Sequence, residues 1–254
     1  MELVLALAIA LFSFKSADNK TIVSEDKAPY VKEVYNPSET RLNDIVHTSL
    51  EVSFDWQNQH VLGSAIMEVK PYFYPTNQLV LDAKGFDIHS VQINQRDAEY
   101  GYDNLFLTID LDKEYTREES YSVTIKYTAK PNELNVKGSQ AISDAKGLYF
   151  INPLNTEDKP QQIWTQGETE ASSCWFPTID SPNERMTQDI AITVQSKYKT
   201  LSNGLLTKSI DNNNGTRTDF WSQKLAHTPY LAMIAVGEFL VTTDKWNELD
   251  VEYF

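Results

Sequence analysis

The chain has 254 residues, 41% of them hydrophobic and 23% charged, with a formal net charge of −14. This length and balance suit a globular protein whose core stands without cross-links, and they exclude disorder as the starting expectation. The negative charge, with no cluster of Lys or Arg, excludes nucleic acid and anionic membrane as expected partners, because phosphate binding needs concentrated positive charge.

The first feature along the chain is an apolar run at residues 3–14. It is shorter than the ~20 residues of a membrane-spanning helix and has the length of a signal-peptide core. Residues 1–17 therefore read as an export signal, although Met1-Glu2 brings no positive charge and the cleavage site near Ser16-Ala17 is poorly defined. A buried segment of the fold is the alternative. Residues 18–40 are polar and read as a linker, which leaves 41–254 for the folded domain. The expected location is outside the cytoplasm: periplasmic, secreted or on the cell surface.

Strand patterns begin near Asp44. Leu50, Val52, Phe54 and Trp56 alternate with Glu51, Ser53 and Asp55, giving one apolar and one polar face. A turn over 57–60 leads to a strand over 61–74, which Pro71 and Pro75 bring to an end. Further strands are expected over 78–83, 87–94, 105–111 and 120–127. In the last of these Tyr121, Val123, Ile125 and Tyr127 alternate cleanly. Residues 131–146 and 152–161 read as loops around a strand at 147–150. Strands at 186–195, 198–202 and 217–223 follow, with turns at Asn203-Gly204 and over 211–215. Residues 230–242 read as one continuous buried strand. Short strands at this spacing define the expected fold class: all-β, a large antiparallel β-sandwich over 41–254. The last residues, Asp250 to Phe254, look like the start of a strand, so the natural polypeptide is expected to continue. Cys174 is the single cysteine, which excludes an internal disulfide, and its apolar neighbours mark it as a filler rather than a nucleophile.

The chemistry-bearing stretch is 160–185. Gln166 and Glu168 are two apart, so on an extended segment they project to the same side. An amide beside a carboxylate suits an ammonium group and a neighbouring carbonyl. Gly167 between them permits close approach of another backbone or a ligand. Trp164, Trp175 and Phe176 flank the pair, and partial desolvation of the carboxylate is expected from them. On residue types alone, a solvated strand carboxylate and a surface amide remain the simpler reading.

The order of motifs adds to this. Thr165-Gln166-Gly167-Glu168, then Trp175-Phe176-Pro177 and Asp180-Ser181-Pro182, resembles a signature of the aminopeptidase N-type zinc metallopeptidases, a gluzincin family related to leukotriene A hydrolase. Leu201-Ser202-Asn203-Gly204, Pro229-Tyr230-Leu231 and Val236-Gly237-Glu238-Phe239 resemble later motifs of the same family. The resemblance spans about residues 41–254. It implies a saddle-shaped N-terminal β-domain packed on a thermolysin-like catalytic domain of the same polypeptide. It also implies that Glu168 binds the α-amine of a peptide N-terminus while Gln166 lines the first substrate pocket. Asp180 and Pro182 are then structural, and Glu170 is a lesser candidate for substrate contact. The zinc of such an enzyme is held by His-Glu-x-x-His and a downstream Glu. His47, His60 and His89 read as structural residues on strands or turns and His227, before Thr228-Pro229, as a loop residue; none begins such a motif, and the family's Gly-Ala-Met-Glu-Asn loop is also absent. The resemblance thus implies no catalytic residue and no metal ligand in this chain. Two other readings stay open: a stand-alone peptide-binding or adaptor sandwich, and a carbohydrate-binding sandwich with exposed aromatics.

Overall fold

The computed structural model describes residues 40–135 and 144–254. The expected export signal (1–17), the expected linker up to its last residue (18–40) and the middle of the 131–146 loop lie outside the described residues.

The described residues form the strands β1 (Asn43–Asp55), β2 (His60–Pro71), β3 (Thr76–Asp82), β4 (Phe86–Ile93), β5 (Arg96–Asp97), β6 (Tyr100–Tyr102), β7 (Phe106–Tyr115), β8 (Tyr121–Ala129), β9 (Leu148–Ile151) and β10 (Gln162–Thr165). They continue with β11 (Met186–Gln195), β12 (Lys199–Ser202), β13 (Leu205–Asp211), β14 (Thr216–His227), β15 (Ile234–Gly237), β16 (Thr242–Trp246) and β17 (Leu249–Tyr253). Short 3-10 turns lie at Pro131–Glu133, Ser172–Cys174 and Pro229–Leu231. An eight-stranded sheet has the order β13-β14-β11-β1-β2-β8-β4-β5; a four-stranded sheet has the order β12-β15-β10-β9; β3-β7-β6 and the hairpin β16-β17 complete the set.

The expected all-β, largely antiparallel class is what the chain adopts. One pair departs from it: β1 and β11 run parallel, with Leu50 opposite Ile190. A parallel pair needs a long crossover, and the 160–185 stretch is the part of that crossover that leads from β10 into β11.

Side-chain alternation decides which face each strand buries. Tyr121, Val123, Ile125 and Tyr127 of β8 are all buried, with Thr124 and Lys126 on the other face. The core fills with large aromatics. Trp56 stacks on Tyr198 at 5.2 Å and meets Phe150 edge-on at 5.8 Å. Trp175 and Phe176, 4.5 Å apart and both fully buried, sit in the same apolar cluster. Edge-to-face packing of this kind adds to the area the rings remove from water.

Three expectations need correction. The apolar run over 230–242 is not one strand. Pro229 brings no N–H, and the chain takes a 3-10 turn closed by Ala232 N–H to Pro229 O at 2.8 Å. Strand β15 then ends at Gly237, where a Cβ would meet the Phe239 ring at 2.8 Å as the chain folds back. His227, read as a loop residue, is the last residue of β14, opposite Met186. Strand β13, not expected from the sequence, pairs with β14 at the edge of the large sheet and is almost wholly exposed, so no burial pattern announced it.

Candidate functional site

Strand β10 lies inside the four-stranded sheet, between β9 and β15. Its final residue, Thr165, accepts the Ile234 N–H on its hydroxyl at 3.0 Å. The Gln166 N–H donates to Gly147 O at 2.9 Å, and there the chain leaves the sheet. Gly167 is buried against the Pro229–Leu231 turn: a Cβ on it would stand 2.4 Å from Tyr230 O and 2.7 Å from Ser172 Oγ. Only glycine lets these backbones approach so closely. Gly167→Ala is therefore expected to cost about 1–3 kcal/mol, the usual range for overpacking, measured as a fall in urea midpoint with unchanged slope.

After Gly167 the chain turns back. Glu168, Thr169 and Glu170 are exposed; the Ala171 N–H returns to Gly167 O at 2.9 Å, and Lys84 Nζ donates to Glu170 O at 2.6 Å. The buried Ser172 hydroxyl donates to Pro229 O at 2.8 Å. The Asn203 side chain holds the same region from the other side. Its Nδ2 donates to Leu231 O at 3.0 Å and its Oδ1 accepts the Met233 N–H at 2.7 Å, while Ser202 Oγ donates to Met233 O at 2.6 Å. The motifs at 165–168, 202–204 and 229–231, far apart in sequence, thus meet in one hydrogen-bonded unit.

Gln166 is half-buried and Glu168 exposed. Both follow the end of β10, so the extended segment assumed for them stops one residue too early. The expected desolvation of Glu168 needs correction as well. Trp175 and Phe176 turn into the core, and Trp164, 41% exposed, stacks on Tyr149 at 4.6 Å instead. Among the described residues Glu168 has no hydrogen-bond or ion-pair partner.

Asp180 is a structural anchor. Its Oδ2 accepts the N–H and the hydroxyl of Ser173, at 2.9 and 2.8 Å, tying down the Ser172–Cys174 turn, and its own N–H donates to Asp82 Oδ2 at 2.9 Å. Burial outweighs these bonds and pushes the Asp180 carboxyl up to about 6 from 3.8. A raised carboxyl contributes stability below its unfolded value and loses it as pH rises through the folded one. Asp180→Asn does not titrate, so its stability relative to wild type is expected to improve by up to about 3 kcal/mol between pH 4 and 7. Urea melts of both proteins across that range give the difference.

Sequence reasoning missed the pair of Arg41 and Glu184, which lie 143 positions apart. Glu184 is fully buried; its carboxylate accepts Arg41 Nε and Nη2 at 3.1 and 3.0 Å and the Ile45 N–H at 2.9 Å. Burial pushes its carboxyl up to about 7 even though Arg41 pulls it down. The Arg41 guanidinium also lies 4.4 Å from the Tyr72 ring centroid. Cys174 is buried, and burial pushes its thiol up to about 12, which makes it a poor nucleophile.

The described residues do not fit a zinc ion. No three His, Cys, Asp or Glu side chains among them group as metal ligands. The histidines are spent separately: His47 on Thr187 and Ser49, His60 on Glu133, His89 on Thr128, and His227 through its Nδ1–H on Thr228 O.

Residues 32–231 match the family described as the Peptidase M1 N-terminal domain. The chain belongs to this family. Among similar proteins, leucine aminopeptidase 2 of Vanderwaltozyma polyspora is 23% identical over 197 residues, which cover 77% of this chain and 29% of that protein. Transcription initiation factor TFIID subunit 2 of Schizosaccharomyces pombe is 22% identical over 191 residues, covering 66% of this chain and 16% of that one. An M1 zinc metallopeptidase from Deinococcus radiodurans has the same fold, with a TM-score of 0.67 at 18% identity, over 84% of this chain and 47% of that one. The M1 N-terminal domain described here thus spans less than a third of the length of these curated relatives.

Proposed function

We propose that this chain is the substrate-anchoring N-terminal domain of an exported zinc aminopeptidase, an enzyme that removes N-terminal residues from peptides. In this reading the Glu168 carboxylate pairs with the protonated α-amine of the peptide, and Gln166 lines the pocket for its first residue. A charge-assisted hydrogen bond of this kind fixes the peptide by its end and measures off one residue. The zinc, held by a thermolysin-like catalytic domain of the same polypeptide, supplies Lewis-acid polarisation and an activated water. The residues of this chain bind and orient; none carries the hydrolysis. The observation that supports the reading is the exposed Glu168 carboxylate, without a partner among the described residues, on a loop braced by the two other family motifs. The apolar run at 3–14 supports export.

A second reading is a peptide-binding or adaptor domain without catalysis, favoured by the similarity to TFIID subunit 2. The coding sequence beyond codon 254 separates the two. The first reading expects an open frame that runs into Gly-Ala-Met-Glu-Asn and His-Glu-x-x-His. A stop codon, or a continuing frame without either motif, contradicts it and supports the adaptor.

A further inference from the structure

We infer that Lys84 is a positioning residue: by holding the Glu170 carbonyl, its ammonium group fixes the direction in which Glu168 meets a peptide amine. The inference rests on the anchoring role proposed above for Glu168.

All three residues of the turn 168–170 are exposed, so neighbouring side chains do not pack them into place. What orients Glu168 is the backbone on either side of it. On one side, Gly167 is pressed against Tyr230 O. On the other, Lys84 Nζ donates to Glu170 O at 2.6 Å, the one side-chain hydrogen bond to this turn among the described residues.

Lys84 is itself held firmly. It sits between β3 and β4, and its N–H donates to Ser173 O at 2.9 Å. The preceding Ala83 N–H donates to Leu105 O and the following Gly85 N–H to Asn104 O, both at 2.8 Å. Ala83 and Phe86 are buried in the core. The base of the Lys84 stem and the Ser172–Cys174 turn therefore move as one body, and the ammonium reaches from that body to the exposed turn. Lys84 meets the turn through a carbonyl, and among the described residues Glu168 is in no ion pair. The Glu168 side chain stands exposed to a cationic ligand while its backbone is held.

Without this bond the turn samples more conformers, and affinity falls by the fraction that remains competent. The test is made on the enzyme in its full natural length, with Lys84→Met and Lys84→Arg beside Glu168→Ala. Two competitive inhibitors are compared: an amino-acid amide, and the same molecule without its α-amine. Lys84→Met is expected to weaken the amide about 3- to 10-fold and to raise KM for a peptide by the same factor with kcat nearly unchanged. The des-amino inhibitor should bind as to wild type, and Lys84→Arg should restore most of the loss. The inference is overturned if Lys84→Met behaves as wild type while Glu168→Ala is impaired. It is equally overturned if Lys84→Met weakens both inhibitors alike, which marks a purely structural role. If Glu168→Ala leaves the amide unaffected, the anchoring reading itself has failed and this inference falls with it.

Discussion

Arg41→Met is expected to destabilise the domain by about 3–5 kcal/mol at pH 8, the range for breaking a buried ion pair. Glu184 is fully buried and takes two hydrogen bonds from the Arg41 guanidinium. Methionine keeps the apolar stem but leaves the carboxylate with the Ile45 N–H alone. The pH dependence carries the sign of the mechanism. With Arg41 present, burial already pushes the Glu184 carboxyl up to about 7. Without the cation it rises further, so at low pH the folded mutant takes up a proton and avoids the buried charge. The loss should therefore be largest at pH 8 and shrink towards pH 5. Adding Glu184→Gln to Arg41→Met should recover part of the loss at pH 8, because the orphaned charge is gone. In a thermal melt the single substitution corresponds to a fall on the order of 10 °C. A loss that is independent of pH would mean that Arg41 acts through packing, on Tyr72 for example, and not through Glu184.

The second large effect is functional. On the proposed aminopeptidase reading, Glu168→Ala in the protein of full natural length is expected to lower kcat/KM for free-amine substrates by about 30- to 1000-fold, equivalent to roughly 2–4 kcal/mol for a lost charge-assisted anchor. The fold should not notice the change, since Glu168 is exposed and unpaired among the described residues. Its melting temperature should therefore match wild type, which separates it from Gly167→Ala. In the latter, the substitution strikes Tyr230 O and disturbs the loop as a whole.

These two predictions differ in how far the sequence alone could have led to them. The Glu168 loop was legible because the family motif is contiguous, and because glycine between two polar residues announces a close approach. The pairing of Arg41 with Glu184 was not, because a contact between residues 143 positions apart leaves no local pattern. The same holds for Lys84 on Glu170 and for Asp82 on Asp180. Adjacency misled in one place: Trp175 and Phe176 follow Glu168 closely, yet the Ser172–Cys174 turn carries them into the core. In the fold, strands with one buried face, such as β1 and β8, were plain from their alternation. The exposed edge strand β13 carries no such signal. The run over 230–242 is mostly apolar, and such a run does not show where a chain bends. The bends came from Pro229 and from the contact of Gly237 with Phe239.

The most direct test of the anchoring role is the coupling between Glu168 and the substrate amine. The protein in its full natural length, wild type and Glu168→Ala, is titrated with an amino-acid amide and its des-amino analogue. If Glu168 binds the amine, wild type prefers the amide by about 30-fold or more, and in Glu168→Ala the preference collapses towards unity while the affinity for the des-amino analogue stays the same. A preference that survives the substitution undiminished would place the amine elsewhere and contradict the account.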